Sequence, residues 1–299
     1  MADEALRRTP TALGRNDLIA SHFTLAGAGV GAPVRFTFAE RVAAAAAAGF
    51  RGIGMLADDY ASCRASGLSD ATMRSILDAH GIQVAEIEFL HGWARDDARD
   101  GWARQLEVRM YALADALGGR HMNVGDVMPA GDWPPLDAVA ERFAGVCDRA
   151  AEHGLRVAIE FLPWTSIPDA ATAWEIARRA GRANGGILVD SWHYFRGAGG
   201  ESALRAVPAE RIVAVQLDDA DRPHGAPYED TLRRRLPGEG TFDLVGLVQL
   251  LDGMGVEAPV SVEIIAPDHH ARPVDEAARR AYEATRAVLT RARQGAGST

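Results

Sequence analysis

Cysteine and long apolar runs are scarce in this sequence of 299 residues. Its two cysteines, Cys63 and Cys147, lie far apart, in segments with the patterns of a loop and a helix. That spacing excludes a disulfide framework and a zinc-ribbon site, and it favours a protein of the reducing cytoplasm. No run of about 18 apolar residues occurs, so we expect no transmembrane helix. The start, MADEALRRTPTALGRND, lacks the apolar segment of a secretory signal.

An excess of basic charge is also missing. The chain has 32 Lys and Arg residues against 41 Asp and Glu, which gives a formal net charge of −9. Nucleic acids and anionic membranes bind basic patches on proteins, so we expect neither as a partner. A small molecule is the expected partner, and homodimeric and homotetrameric assemblies both stay open. The hydrophobic content of 47% is enough for a sizeable core.

Eight short apolar runs alternate with longer amphipathic stretches along the chain. The predicted strands are 22–27, 52–56, 84–90, 121–126, 157–162, 186–190, 212–218 and 260–265. The predicted helices are 37–49, 69–80, 98–117, 136–153, 169–180, 201–207, 243–254 and 274–293. Strands that alternate with helices of this length are typical of βαβ units and a parallel sheet.

Eight such units predict a single-domain α/β protein, a (β/α)8 TIM barrel. We place the barrel at residues 17–293, between an N-terminal tail (1–16) and a C-terminal tail (294–299). A doubly wound open sheet is the competing fold. It usually carries a G-x-G-x-x-G turn that opens a helix, whereas LAGAGVGAP here has G-x-G-x-G spacing with no helix directly behind it.

The last four predicted strands each deliver one oxygen-bearing side chain near their carboxyl end. Those side chains are Glu160, Asp190, Gln216 and Glu263. In a barrel these ends converge on the face where active sites of this fold are built. Three carboxylates so close together would repel one another unless a cation neutralised them. The pattern therefore predicts a metal site, although parallel strands also end on polar residues where the chain meets water.

The predicted ligand shell consists of oxygen atoms only. Such a shell favours Mn2+ first, then Mg2+ or Co2+, and is also compatible with Zn2+. A divalent ion that chelates two oxygens could stabilise an enediolate while carboxylates move a proton beside a carbonyl. Glu160 and Glu263 lie on well-separated strands, so they could flank the substrate as an acid/base pair.

The sequence resembles the xylose-isomerase-like TIM barrels, which include sugar isomerases and epimerases and inosose dehydratases and isomerases. The resemblance spans residues 17–293 and is clearest in VAIEF, ILVDSWH, VAVQLDD and VSVEI. It implies one divalent ion bound by Glu160, Asp190, Gln216 and Glu263. It also implies that His193 of the D-x-x-H motif and Arg222 hold substrate. The best-studied epimerases have His in place of Gln216, which is a departure from the sugar-epimerase pattern.

Several other polar and aromatic residues follow predicted strands and are candidates for the pocket wall. Glu86 and Glu88 alternate onto one face of their strand, which should be the barrel interior. Glu88, His91, Asn123 and Trp164 are predicted to contact substrate. The structural alternatives are an internal ion pair for Glu88 and lid packing for the tryptophan. Tryptophans around the mouth would suit a ring-shaped substrate.

The leading hypothesis is a divalent-metal-dependent isomerase or epimerase that acts on a sugar or hydroxylated keto compound through a metal-stabilised enediolate. The alternative is a metal-dependent dehydratase, a lyase, of an inosose-like or dehydroshikimate-like cyclic keto-polyol. Product mass separates the two, because dehydration loses one water. A nuclease of the abasic-site type shares the barrel, but it needs additional histidines and acids, and the net charge of −9 disfavours DNA. A noncatalytic partner subunit would have lost metal ligands, and none is evidently lost.

Overall fold

The computed structural model describes residues 12–95 and 99–294. Eight parallel strands close into a barrel in sequence order, with each strand paired to the next and the last paired to the first. The strands are β1 Leu18–Ala20, β2 Gly52–Leu56, β3 Gln83–Leu90, β4 His121–Val124, β5 Arg156–Glu160, β6 Gly185–Asp190, β7 Ile212–Leu217 and β8 Val260–Val262. The predicted single-domain (β/α)8 barrel is confirmed.

Helices surround the barrel and fill the connections between strands. They are α1 His22–Ala26, α2 Phe38–Ala48, α3 Ala57–Ala65, α4 Asp70–His80, α5 Arg99–Leu117, α6 Leu136–Glu152, α7 Ala170–Ala180, α8 Ser191–Arg196, α9 Gly200–Arg205, α10 Pro227–Asp230, α11 Leu244–Met254, α12 Pro267–His270 and α13 Val274–Gln294. The described ranges also contain two 3-10 turns, Ala209–Arg211 and Thr231–Arg233. None of the helices in the described ranges is long and apolar enough to cross a membrane.

The long helices begin and end where local chemistry predicts. Thr37 caps α2 and forms a capping box with Glu40, because each side chain accepts a hydrogen bond from the other residue's backbone N–H. Ser69 caps α4 in the same way, through the backbone N–H of Thr72. At the other end of α2, Gly49 has a φ of 108°, a left-handed conformation that favours glycine.

Alternation along each strand decides which side chains enter the barrel. In β5, Val157 and Ile159 belong to the main core, which packs the strands against the helices, while Ala158 belongs to a small separate cluster with Leu188 and Val213. Successive strand residues face opposite sides, so this separate cluster marks the barrel interior. Two positions after Ala158 and Leu188 on the same strand face come the polar residues Glu160 and Asp190.

The first predicted strand, 22–27, is wrong. The strand lies earlier, at β1, and residues 22–26 form the short helix α1, which ends at Gly27 with a φ of 63°. Tertiary contacts override the apolar pattern here. The Thr24 hydroxyl donates to the Val262 carbonyl and accepts from the Ile264 N–H, which fixes this turn against β8.

Four further helices, α3, α8, α10 and α12, were not predicted. Cys63, placed in a loop by its pattern, lies in α3, which has almost no separation of apolar and polar faces along its sequence ADDYASCRA. No helix or strand was predicted between the strand at 186–190 and the helix at 201–207, yet α8 begins directly at the end of β6. The helix starts there because the Asp190 carboxylate caps it by accepting a hydrogen bond from the His193 N–H at 3.0 Å.

Candidate metal centre and substrate cavity

The four predicted metal ligands lie at the carboxyl ends of four neighbouring strands. Glu160 ends β5, Asp190 ends β6, Gln216 lies one residue before the end of β7, and Glu263 directly follows β8. Asp190 pairs with Gln216 in register, and Gln216 pairs with Ser261. Alternation from the interior residues Ala158, Leu188, Ala214 and Ser261 turns all four ligands inward, and each is buried.

Three of the side chains at this end of the barrel could share one ion. One ligand atom each from Glu160, Asp190 and His193 lie within 4.8 Å of one another. The His193 Nε2 atom is 3.2 Å from Glu160 Oε1, and His193 Nδ1 has no hydrogen-bond partner in the described part of the chain. The D-x-x-H spacing has a simple local origin, because Asp190 is the cap of α8 and His193 is three residues into it.

An arginine that sequence reasoning missed occupies the centre of the cluster. Arg234 Nη1 lies 2.7 Å from Asp190 Oδ2, 2.9 Å from Glu263 Oε2 and 2.5 Å from Asp218 Oδ2. Burial lowers the pKa of this guanidinium, but the carboxylates of Asp190, Asp218 and Glu263 outweigh burial and raise it. Arg234 is therefore charged and holds three acids together.

The chain returns to the barrel mouth after β7 to deliver this arginine. Asp219 and Arg235 form an isolated antiparallel bridge, with N–O distances of 3.0 and 2.7 Å, and the Arg234 N–H donates to the Ile265 carbonyl. Arg234 stands in LRRRLPG, a run that resembles a solvated loop. Arg234 is buried, whereas Arg233 and Arg235 are exposed. The long-range bridge beside Arg234 places it, and no short-range sequence signal predicts that bridge.

Asp218 is a second functional candidate that was missed. It is fully buried and accepts a hydrogen bond from Ser191 Oγ at 2.6 Å. Burial raises the pKa of Asp218 well above its usual range, and Asp190 raises it further, while Arg234 opposes both. Burial likewise raises the pKa of Glu263, with Glu160 adding to the rise and Arg234 opposing it. The cluster is short of positive charge.

The charge balance fits a divalent cation. In the described part of the chain, the buried carboxyl groups of Glu160, Asp190, Asp218 and Glu263 act on the Arg234 guanidinium, so one positive charge faces four acids. A divalent ion would reduce that excess, which burial makes costly. The Gln216 Oε1 atom is also buried without a hydrogen-bond partner among described residues, and amide oxygens are ligands for hard cations.

A cavity of about 820 Å3 opens above this cluster. Its polar lining includes Glu88, His91, Asn123, Glu160, His193 and Glu263. Aromatic side chains form much of the remaining wall, among them Phe89, Trp102, Trp164 and Tyr228. The Trp164 and His193 rings meet edge to face, with centroids 5.6 Å apart. The cavity thus joins an acidic floor to flat apolar walls.

The structure brings most of the predicted substrate contacts to this cavity. Glu88, His91, Asn123, Trp164 and His193 all line it. Arg222 is exposed and is not among the described lining residues, whereas Arg234 is, so the assignment of Arg222 stays a prediction. Asp190 and Gln216 lie beneath the floor, where they can reach an ion without contacting the cavity.

Comparison with known proteins identifies the family. The sequence profile described as "Xylose isomerase-like TIM barrel" matches residues 42–288 of this chain. The chain belongs to that family. The match spans β2 to β8 and contains all four predicted metal ligands.

Curated relatives of this chain include two kinds of enzyme. A 3-dehydroshikimate dehydratase of Pseudomonas aeruginosa is 28% identical over 241 residues, which are 79% of this chain and 37% of the relative. An inosose isomerase of Bacillus velezensis is 28% identical over 155 residues, which are 51% of this chain and 55% of the relative. The chain therefore spans between about a third and just over half of these two proteins.

Solved structures share the fold. A structure of the IOLI protein with a binding zinc atom superposes with a TM-score of 0.80 and 18% identity, covering 92% of this chain and 98% of that one. A xylose isomerase-like TIM barrel/4-hydroxyphenylpyruvate dioxygenase fusion protein superposes with a TM-score of 0.81 and 22% identity, covering 93% of this chain and 43% of that one. The curated relatives of this chain are enzymes of the isomerase and dehydratase type, acting on small molecules.

Proposed function

We propose that this protein is a divalent-metal-dependent isomerase or epimerase that moves a proton beside the carbonyl of a hydroxylated keto compound. One observation carries the proposal. Glu160, Asp190, Gln216 and Glu263 lie at the carboxyl ends of four neighbouring strands, below a cavity that Glu160 and Glu263 line, and Gln216 Oε1 is buried without a hydrogen-bond partner among the described residues. Mn2+ is the proposed ion because most of these ligands are oxygen atoms, and the zinc-bound neighbour keeps Zn2+ in the same test.

The ion and the side chains have separate tasks in this proposal. A bound divalent ion supplies a Lewis acid that stabilises negative charge on substrate oxygens. Glu160 and Glu263 line the cavity from β5 and from the end of β8, so they reach a substrate from different sides as base and acid. His193 lines the cavity between them and holds a substrate oxygen.

Arg234 and the cavity walls complete the roles. The guanidinium keeps Glu263 Oε2 at 2.9 Å and Asp190 Oδ2 at 2.7 Å, which fixes both carboxylates in orientation. Trp164 and Tyr228 present edges and faces that suit a ring, because flat apolar surfaces exclude water from a ring face. We therefore propose a cyclic polyhydroxylated ketone as the substrate class.

A dehydratase is the second candidate function. It is favoured by the 3-dehydroshikimate dehydratase relative, which aligns with 79% of this chain, against 51% for the inosose isomerase. Both reactions begin with loss of the proton beside the carbonyl. They differ afterwards, because dehydration expels a β-hydroxyl group whereas isomerisation returns the proton.

The test is a substrate panel run with metal-free and metal-loaded protein. After chelation, the protein is reloaded with Mn2+, Mg2+, Co2+ or Zn2+ and incubated with an inosose, 3-dehydroshikimate and several ketoses. We expect conversion of at least one cyclic compound, only with metal, and strongest with Mn2+. Mass spectrometry separates water loss from isomerisation. Conversion at the full rate by protein with no metal in elemental analysis would contradict the proposal.

A further inference from the structure

The predicted metal ligands occupy only one half of the barrel mouth. They lie on β5, β6, β7 and at the end of β8, whereas the half formed by β1 to β4 carries a different polar group, Glu88 of β3. Asn123 of β4 and His91 lie beside Glu88 in the cavity lining. A substrate that binds an ion over β5 to β8 would extend its other oxygens toward this second half. Asp58 and Asp59 also line this half, but Asp58 is exposed and Asp59 pairs with Arg41 at 2.7 Å, so among the described residues Glu88 is the buried carboxyl group there without a basic partner.

The position of Glu88 is built into the backbone around it. A Cβ atom added at Gly54 would lie 2.3 Å from Glu88 Oε1 and 2.8 Å from the His22 nitrogen, so only glycine allows the carboxyl group to lie there. The His22 N–H points at Glu88 Oε1 at 3.5 Å, a long hydrogen bond. Glu88 is only 3% exposed, yet its side chain reaches the cavity.

Two residues earlier, Glu86 has a different environment on the same strand face. Its Oε2 atom accepts a hydrogen bond from Ser261 Oγ at 2.9 Å, and its Oε1 atom lies 3.6 Å from His121 Nε2. Arg120 Nη1 lies 3.2 Å from His121 Nδ1, and a guanidinium can only donate, so the imidazole proton is on Nε2 and points at Glu86. The 3.6 Å distance to His121 is too long for a hydrogen bond, so the Ser261 hydroxyl is the group that holds Glu86.

Glu88 therefore holds the proton of this carboxyl pair. Glu88 accepts one long hydrogen bond from a backbone N–H, while Glu86 accepts a shorter one from the Ser261 hydroxyl. Burial raises the pKa of Glu88 well above its usual range, and the negative charges of Glu86 and Glu263 add to the rise. A neutral carboxylic acid in a cavity above an enolate-forming site is placed to donate.

We propose that Glu88 is the catalytic acid that gives its proton to the departing hydroxyl oxygen of a cyclic keto-polyol. This inference rests on the proposed function, in its dehydratase form. The carboxylate base first removes the proton beside the carbonyl, which leaves an enolate. The electron pair of the enolate then forms the new C=C bond as the β-carbon–oxygen bond breaks. The departing oxygen takes its electron pair from that bond and its proton from Glu88, and water leaves.

The step balances without an added oxidant or reductant. Glu88 ends as a carboxylate and the base ends protonated, so the base releases one proton to solvent and Glu88 takes one back before the next turnover. General acid catalysis contributes about 10^2- to 10^4-fold to such steps. An isomerase expels no hydroxyl group and would need no such donor.

The experiment separates the two half-reactions in one tube. Mn2+-loaded protein is incubated in D2O with 3-dehydroshikimate or with an inosose. Deuterium at the carbon beside the carbonyl, read by NMR, reports enolisation, and mass loss reports dehydration. We expect Glu88→Gln to keep deuterium exchange within about threefold and to lose dehydration by about 10^2-fold or more. Glu88→Asp keeps an acid and should lose less than Glu88→Gln.

The matched control is Asp137→Asn, at a position that is not in the described lining of this cavity. It makes the same carboxylate-to-amide change on a side chain that is 80% exposed, and we expect wild-type rates. Circular dichroism and the melting temperature check that each variant folds. Should Glu88→Gln be unfolded, Glu88→Ala with added formate replaces it, and formate should restore dehydration.

The outcomes distinguish failure of this inference from failure of the proposed function. Dehydration by Glu88→Gln at the wild-type rate, or an equal fall of exchange and dehydration, overturns the role of Glu88. Exchange without water loss in the wild-type protein overturns it too, and leaves an isomerase. If the metal-loaded wild-type protein neither exchanges deuterium into either compound nor converts it, the proposed function itself is overturned.

Discussion

Replacing Arg234 by methionine tests whether this guanidinium and a bound ion neutralise the same acids. Methionine fills much of the same space but carries no charge and donates no hydrogen bond. In Arg234→Met, the carboxylates of Asp190, Asp218 and Glu263 lose a partner that lies between 2.5 and 2.9 Å from each. All four side chains are nearly inaccessible to water, so water cannot replace the lost contact.

The expected loss of stability is large. Removing one partner of a buried ion pair costs about 3–5 kcal/mol. At about 2 °C per kcal/mol for a domain of this size, the metal-free variant should melt about 6–10 °C below the wild-type protein. Added Mn2+ should recover much of this loss, because an ion at 100 times its Kd contributes about 2.7 kcal/mol and meets more uncompensated negative charge in the variant.

The assay is thermal unfolding, followed by circular dichroism after chelation and then with increasing Mn2+. Arg235→Met is the matched control, because Arg235 is the next residue, its side chain is 51% exposed and its carboxylate partner is Asp221 at the surface. An exposed pair contributes about 0–1 kcal/mol, so this control should melt near the wild-type temperature. Equal melting of the two variants, with equal shifts on adding Mn2+, would refute the charge argument.

Two further predictions concern histidines. His193→Ala should keep the ion, measured by elemental analysis, and reduce turnover by about 10^2- to 10^3-fold, the usual effect of one charge-stabilising donor; loss of the ion would make His193 a ligand, as its distance to Glu160 and Asp190 allows. Burial lowers the pKa of His269 to about 4, against the opposing hydrogen bond to the Thr24 carbonyl. Below about pH 6.5 the unfolded state therefore binds a proton that the folded state does not bind until about pH 4. As the pH is lowered across that window, the free energy of unfolding falls by about 1.4 kcal/mol per pH unit. In urea titrations, His269→Gln should lack this part of the decline, about 3 kcal/mol in total; parallel pH profiles for the variant and the wild-type protein would contradict it.

The barrel could be predicted because its signals are local. Alternating strand and helix patterns, the Thr37 and Ser69 caps and the glycines that end helices all act within a few residues. Two strand features also predict where the candidate ligands lie. A strand end and a period of two suffice to bring Glu160 and Asp190 to one face of the barrel.

The parts that were missed depend on contacts between distant segments. The strand predicted at 22–27 failed because α1 is held by β8, some 240 positions away in sequence. Arg234 reaches the site only through the bridge between Asp219 and Arg235, which no spacing rule shows. Asp190 combines a local signal with a long-range arrangement, because it caps α8 and is also a predicted metal ligand.

The most direct test of the central claim is deuterium uptake from D2O by a cyclic keto-polyol, measured with metal-free protein, Mn2+-loaded protein and Mn2+-loaded Glu263→Gln. Glu263→Gln keeps an oxygen donor at the floor of the cavity and removes a base, so it should bind the ion somewhat more weakly and lose exchange by orders of magnitude. The account predicts exchange at the carbon beside the carbonyl only in the Mn2+-loaded wild-type protein. Exchange at the wild-type rate in the metal-free protein, or in Glu263→Gln, would contradict it.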